Sequence, residues 1–162
     1  LSAMELRQVK GIGLAKAITL IAAMELGRRR ASASILPKKV VRASEDVAGY
    51  LKTMIKDFNY EVFGVLFLNR ANKINHFQII SHGGMTGTVA DPRIILKAAL
   101  DNRATSIILC HNHPSGNLQP SHADIEITKK IKSAAGFLDV NVTDHLIVSE
   151  EGYFSFADNG IL

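Results

Sequence analysis

Cys110-His111-Asn112-His113-Pro114-Ser115-Gly116, with Pro120-Ser121-His122-Ala123-Asp124 close behind, is the stretch around which the chain is organised. It emerges from an apolar run, Thr105-Ser106-Ile107-Ile108-Leu109-Cys110, whose β-branched residues predict a buried strand. Side chains alternate faces along a strand, so His111 and His113 share one face, roughly 6–7 Å apart. That spacing lets two imidazoles converge on one metal ion, with bonds of about 2.0–2.1 Å for zinc. Pro114 and Gly116 break the strand, and Ser121 opens a helix carrying Asp124 in its first turn. From there the carboxylate can swing back as a third ligand. Three protein ligands with a fourth position for water is the pattern of a catalytic zinc site. The same letters have a plainer meaning, because Ser121-x-x-Asp124 also reads as a helix capping box.

Other site types sharing these letters fit less well. An HNH nuclease spreads its motif over a ββα unit, and a zinc deaminase needs a Pro-Cys-x-x-Cys segment that this one-cysteine chain lacks. His111-x-His113-Pro114, six residues, then Ser121-x-x-Asp124 resembles the signature of the JAMM (MPN-type) metallopeptidase fold. The wording His-Asn-His-Pro-Ser-Gly with Pro-Ser-x-x-Asp resembles the bacterial RadC proteins, and the resemblance runs over essentially the whole chain. It implies an α/β fold: a mixed α+β sheet in a three-layer, cytidine-deaminase-like domain, preceded by a small helical hairpin. It also implies zinc held by His111, His113 and Asp124, with Ser121 close to the metal and stabilising an oxyanion. The family's glutamate, on an earlier strand in a Glu-x-x-Gly-hydrophobic-hydrophobic context, is matched by Glu61-Val62-Phe63-Gly64-Val65-Leu66. Without the resemblance, Glu61 would read as the polar start of a strand.

At 162 residues, with apolar residues near half and few prolines, the chain suits one packed domain plus a small appendage. It opens on Leu1 rather than Met, which reads as a fragment or processed product. No stretch resembles a secretory signal. The longest apolar run, residues 14–24, contains Lys16 and is too short to span a bilayer, so no membrane partner is expected. A single cysteine excludes an internal disulfide framework and suits a reducing cytoplasm. Charge is uneven. Residues 1–42 hold nine Lys/Arg against Glu5 and Glu25, whereas the remainder holds ten against thirteen acids. A basic head on a mildly acidic body suggests a polyanionic partner for the head, although solubility alone would also explain it.

In chain order, Leu6-x-x-Val9-x-Gly11-Ile12-Gly13-x-x-x-Ala17 predicts two helices joined by a glycine hairpin, the second over residues 14–26 and capped by Gly27. This resembles a helix-hairpin-helix motif, which binds DNA backbone without reading sequence. Lys10, Gly11, Gly13, Lys16, Arg28, Arg29 and Arg30 are its candidate phosphate contacts. The family carries more helical sequence upstream, so this copy reads as truncated. The predicted organisation is a head over 1–30, a linker over 31–43 and a RadC-type domain over 44–162. Within that domain Ser44 is the expected cap of a helix through Met54. Strands follow at 61–69 and 73–81, a helix at 91–101 and the central strand. The Ser121 helix then runs to Ala135, and strands at 140–148 and 153–157 close the domain. Asp144-His145 falls inside the first of these last two strands, where orienting a site residue and a purely structural role are equally open. His76 reads as an ordinary strand histidine and His82 as unassigned.

The expected chemistry is zinc-dependent hydrolysis of an amide or isopeptide bond in an unknown protein or peptide, with Glu61 as base and Ser121 at the oxyanion. The RadC resemblance adds a setting near DNA or its repair. Two rivals remain: a DNA-associated binding module whose zinc is structural or vestigial, and a metal-dependent nuclease. The nuclease is the weaker one, since nuclease sites gather several carboxylates and this loop offers one. Oligomeric state is left open.

Overall fold

The computed structural model describes residues 2–35, 40–55, 57–83 and 90–162, with residues 29–35 described by their backbone alone. The chain divides into two compact units, Leu1–Pro37 and Lys38–Leu162.

In the first unit a single turn, α1 (Ala3–Leu6), is closed by a capping box. Ser2 Oγ accepts from the Glu5 amide at 3.2 Å, and Glu5 Oε2 accepts from the Ser2 amide at 2.6 Å. The chain then turns through Gly11, whose φ of 92° would strain any residue bearing a β-carbon. Helix α2 (Leu14–Ile35) follows. Gly27 was expected to end this helix, but it lies inside it, and the first five residues of the expected linker are helical. The reason is local. An interior glycine costs only about 1 kcal/mol relative to alanine. Strong helix formers flank it, and the Arg28–Glu25 ion pair at 2.8 Å spans it.

The far end of the expected linker is ordered too. Val40 bridges Lys73, the Val41 amide donates to the Asn72 carbonyl, and Asp46 accepts from the amides of Arg42 and Ala43. Residues 36–39 of that linker lie outside the described residues. Helix α3 (Glu45–Ile55) begins at Ser44, whose carbonyl accepts from Ala48. The Ser44 hydroxyl, expected to cap the helix, turns instead to Asp158 Oδ2 at 2.5 Å and Tyr153 at 3.2 Å.

Strands β1 (Val62–Leu68) and β2 (Ile74–His82) form a hairpin, followed by α4 (Pro92–Asp101), β3 (Ser106–Asn112) and α5 (His122–Gly136). Strands β4 (Asn141–Val148) and β5 (Tyr153–Ser155) complete a five-stranded sheet in the order β2-β1-β3-β4-β5. Among the described residues only the β3–β4 pair is parallel, so the sheet is mixed. The α5 crossover that makes this pair possible lies between its two strands in sequence.

Two cores hold three layers together. On one face Ile95, Ala98 and Ala99 of α4 and Ile131 and Ala135 of α5 pack on Phe63, Val65, Phe67, Ile107 and Leu109. On the other face Tyr50 of α3 meets Phe77 edge-on at 6.0 Å, over Gly64 and Cys110. Asp91 caps α4 by accepting from the Arg93 amide, with Pro92 at the first position. On α4 the buried residues are Ile95, Ala98 and Ala99, whereas Ile94 and Leu100 are half exposed.

Gly64 leaves no room for a side chain in the second core. A β-carbon there would lie 2.7 Å from Phe77 Cζ and 3.2 Å from Cys110 Sγ. Gly64→Ala should therefore overpack this face and cost about 1–3 kcal/mol, read as a lower denaturant midpoint at unchanged slope. A wild-type midpoint would mean that the Phe77 ring yields freely.

Candidate metal centre

The site lies at the C-terminal end of β3, where the strand stops at Asn112 and Pro114 forbids its continuation. His111 is buried, and Phe63 on the neighbouring strand stacks parallel to its ring at 6.1 Å. His113 lies one residue past the strand, anchored by its amide to the Val148 carbonyl. Its Nδ1 lies 2.5 Å from the Asn117 carbonyl. A carbonyl only accepts, so Nδ1 holds a proton and Nε2 is the nitrogen left for the cluster. It faces His111 Nε2 at 2.9 Å.

Asp124 completes the cluster from the first turn of α5. Its Oδ1 lies 3.3 Å from His111 Nε2 and its Oδ2 lies 3.9 Å from His113 Nε2. The capping box is present as well. Ser121 Oγ accepts from the Asp124 amide at 3.2 Å, and Asp124 Oδ2 accepts from the Ser121 amide at 2.7 Å and its hydroxyl at 2.6 Å. The cap and the cluster are thus one arrangement, because the bonds that start the helix also aim the carboxylate. Burial alone would raise the Asp124 carboxyl. Its interactions with His111 and its hydrogen bonds from Ser121 outweigh that and hold it well below the usual carboxylate range.

Three potential ligand atoms from His111, His113 and Asp124 lie within 4.8 Å of one another. Two imidazole nitrogens and one carboxylate oxygen form a borderline donor set suited to a divalent transition metal, and their mutual approach suits a shared cation. The residues fit a metal.

Glu61 immediately precedes β1. Phe63 pairs with His111 at the end of the β1–β3 ladder, and Glu61, two residues before Phe63, lines the same cavity as both. Glu61, Phe63, Ala90, His111, Asp124 and Ile127 line a common cavity of about 240 Å³. Cys110 points to the other face, and burial pushes its thiol far up, so it is no nucleophile.

Three site neighbours were less legible. Asn112 is buried between the two histidines with its side chain on the opposite face. Its Oδ1 accepts from the Val62 amide at 2.7 Å, and its Nδ2 donates to the carbonyls of Phe58 and Tyr60 at 3.2 and 3.0 Å. It thereby braces the segment carrying Glu61, and the only signal for it was a polar residue inside a buried strand end. His145 is fully enclosed, with Nε2 2.8 Å from His111 Nδ1 and Nδ1 2.6 Å from Thr128 Oγ1. Burial and the neighbouring histidines push it well below the usual histidine range. Asp144, its sequence neighbour, serves the sheet edge instead, accepting from Ser155 and the Ala157 amide. His82 packs on Phe58 and Tyr60, and His76 on Phe67, both outside the cluster.

In the head unit, Lys16 Nζ donates to the Gly11 carbonyl at 3.1 Å and Arg28 pairs with Glu25. Lys10, Gly11 and Gly13 are on or beside the turn, whereas the Arg29 and Arg30 side chains lie outside those described. Among the described residues no helix is long and apolar enough to cross a membrane.

Residues 41–161 match the family described as the RadC-like JAB domain. A UPF0758 protein of Flavobacterium johnsoniae is 48% identical over 161 residues, covering 99% of this chain and 70% of that protein. A UPF0758 protein of Rubrobacter xylanophilus is 42% identical over 158 residues, covering 98% of this chain and 69% of that protein. The corresponding protein of Chlorobaculum parvum is 41% identical over 162 residues, covering 100% and 72%.

The cap at Asp124 and its candidate role as a ligand can be separated. Asp124→Asn keeps an acceptor for the Ser121 amide but loses the charge, so bound metal should fall sharply with little change in melting temperature. Ser121→Ala removes the cap, costs about 0.5–2 kcal/mol, and leaves all three ligand atoms. Equal metal content in wild type and Asp124→Asn would remove Asp124 from the ligand set.

Proposed function

The chain belongs to the RadC-like JAB domain family, and on that footing we propose that it is a zinc-dependent hydrolase of amide or isopeptide bonds. The observation that carries the proposal is the convergence of His111, His113 and Asp124 beside a cavity that Glu61 also lines. His111, His113 and Asp124 would hold the zinc. The ion would supply Lewis-acid chemistry, polarising a carbonyl and acidifying a water. Glu61 takes the proton from the attacking water and passes it to the leaving amine. The Ser121 hydroxyl proton now points at Asp124 Oδ2, so its oxyanion role requires that hydroxyl to rotate towards the substrate oxygen.

A nuclease at this site is disfavoured because the cluster itself holds one carboxylate, Asp124, while further acids lie on a rim outside it. His113 also borders a second cavity, of about 630 Å³, edged by Asp57, Glu150 and Glu151. A carboxylate rim of that kind repels a phosphate backbone. DNA, on our proposal, meets the basic head. The glycine turn and the start of α2 would present amides to phosphate, with Lys10, Lys16 and Arg28–Arg30 supplying charge. The alternative reading, a DNA-associated module with a structural zinc, shares that head and differs only in lacking turnover.

Zinc per chain, measured by elemental analysis on untagged protein, should be about one and should persist in Glu61→Gln. Hydrolysis of a quenched fluorescent peptide pool and of lysine-linked isopeptides should fall by about 10²–10⁴-fold in that variant. Zinc-loaded wild type inert on both would favour the binding module, and wild type that takes up no zinc would sink the hydrolase. Separately, Lys16→Ala should weaken binding to a random duplex and flatten its salt dependence by about one unit of slope. An unchanged slope would remove Lys16 from the phosphate contacts.

A further inference from the structure

We propose that Thr128 and His145 are positioning residues that lock His111 in the tautomer a metal ligand needs, by closing a hydrogen-bonded path from the Asp124 main chain to the His111 ring. The inference rests on the metal-site reading above. Proton counting along the path allows one arrangement. The Thr128 hydroxyl has one proton, and the Asp124 carbonyl, 2.5 Å away, can only accept it. Thr128 Oγ1 then offers lone pairs to His145 Nδ1 at 2.6 Å, so that nitrogen carries a proton. A neutral His145 protonated on Nδ1 has a bare Nε2, which lies 2.8 Å from His111 Nδ1. His111 therefore donates from Nδ1, and its Nε2 is the nitrogen turned towards His113 and Asp124, where a cation, or a proton in the metal-free chain, is held between them.

A cationic His145 would break this logic. However, the ring is fully enclosed, it lies against Phe63 and Phe156, and its two nitrogens are taken by neutral groups. A buried cation so placed is costly. The result is that Asp124 enters the site twice. Its side chain faces the histidines, while its carbonyl anchors the path that sets the His111 proton. The ring type at 145 matters as well. A ligating histidine commonly donates its second N–H to a carboxylate or carbonyl, which raises its basicity. A neutral imidazole accepts more weakly than a carboxylate, so a cation held by His111 would keep more of its Lewis acidity than one behind a histidine–carboxylate pair.

Long-range proton–nitrogen correlation on the ¹⁵N-labelled, metal-free chain at about pH 8, above the usual histidine range, reads these tautomers directly. Chelator competition on the same samples reads zinc affinity. In wild type, His111 and His145 should both carry a proton on Nδ1. Thr128→Val should leave His145 a mixture of tautomers. His145→Phe should bind zinc about 10–100-fold more weakly, and Thr128→Val about tenfold. A bare Nδ1 on either wild-type ring overturns the proposal, as does wild-type tautomer or zinc affinity in Thr128→Val. That variant decides the matter even if His145→Phe does not fold. Were the wild-type chain to take up no zinc, the hydrolase reading would fail while the tautomers still decided the path.

Discussion

Strand β3 has a different kind of neighbour on each side, and the site depends on that asymmetry. Antiparallel pairing with β1 sets Phe63 against His111 and runs the start of β1 towards the end of β3, which is how Glu61 reaches the histidines. Parallel pairing with β4 requires a crossover, and α5 supplies it. A crossover helix must begin near the C-terminal end of the strand it leaves. The first turn of α5, with Ser121 and Asp124, is therefore delivered to the place where His111 and His113 emerge. Ligands in open α/β sheets gather at such strand ends for this reason.

Capping and ligation were competing explanations of Ser121-x-x-Asp124, and the geometry makes them compatible. A carboxylate one turn into a helix is a floppy ligand unless something fixes it. Hydrogen bonds from the Ser121 amide and hydroxyl fix it, and Ser121 Oγ in turn accepts from the Asp124 amide, one of those that every helix start leaves unpaired. Asn112 does similar service on the other side, joining three backbone groups to the strand between the histidines. The functional side chains are thus held by bonds the fold makes anyway. This is what keeps a site rigid before any cation arrives.

Order and type of the elements in the second unit were legible because each carried a strong local signal. Asp91-Pro92 starts a helix, apolar runs mark β1 and β3, and Glu150-Glu151-Gly152 separates the last two strands. The histidine spacing and the Ser121–Asp124 pair were legible for the same reason. Gly27 misled, since a glycine ends a helix only when nothing favours continuing it, and helix formers lie on both sides. Ser44 misled because a serine before a helix reads as a cap whatever else its hydroxyl can reach, and Asp158 is more than a hundred residues away. Thr128 and Asn112 were illegible for the same cause. Their partners are brought near by sheet pairing and helix docking, which leave no periodic trace in the chain.

Charge placement narrows what the two units can be doing on the proposed reading. The cavities beside the metal cluster carry carboxylates at Glu61, Asp124, Asp57, Glu150 and Glu151, whereas the lysines and arginines of residues 1–42 outnumber its acids strongly. A phosphate backbone drawn to the head would be repelled at the cluster. If the chain works on DNA-bound material, what enters the site is then a neutral or cationic segment of protein, and the nucleic acid serves as the place of meeting. On the proposed reading, that division lets one small chain carry a basic surface and a hydrolytic centre of opposite electrostatic preference without either compromising the other.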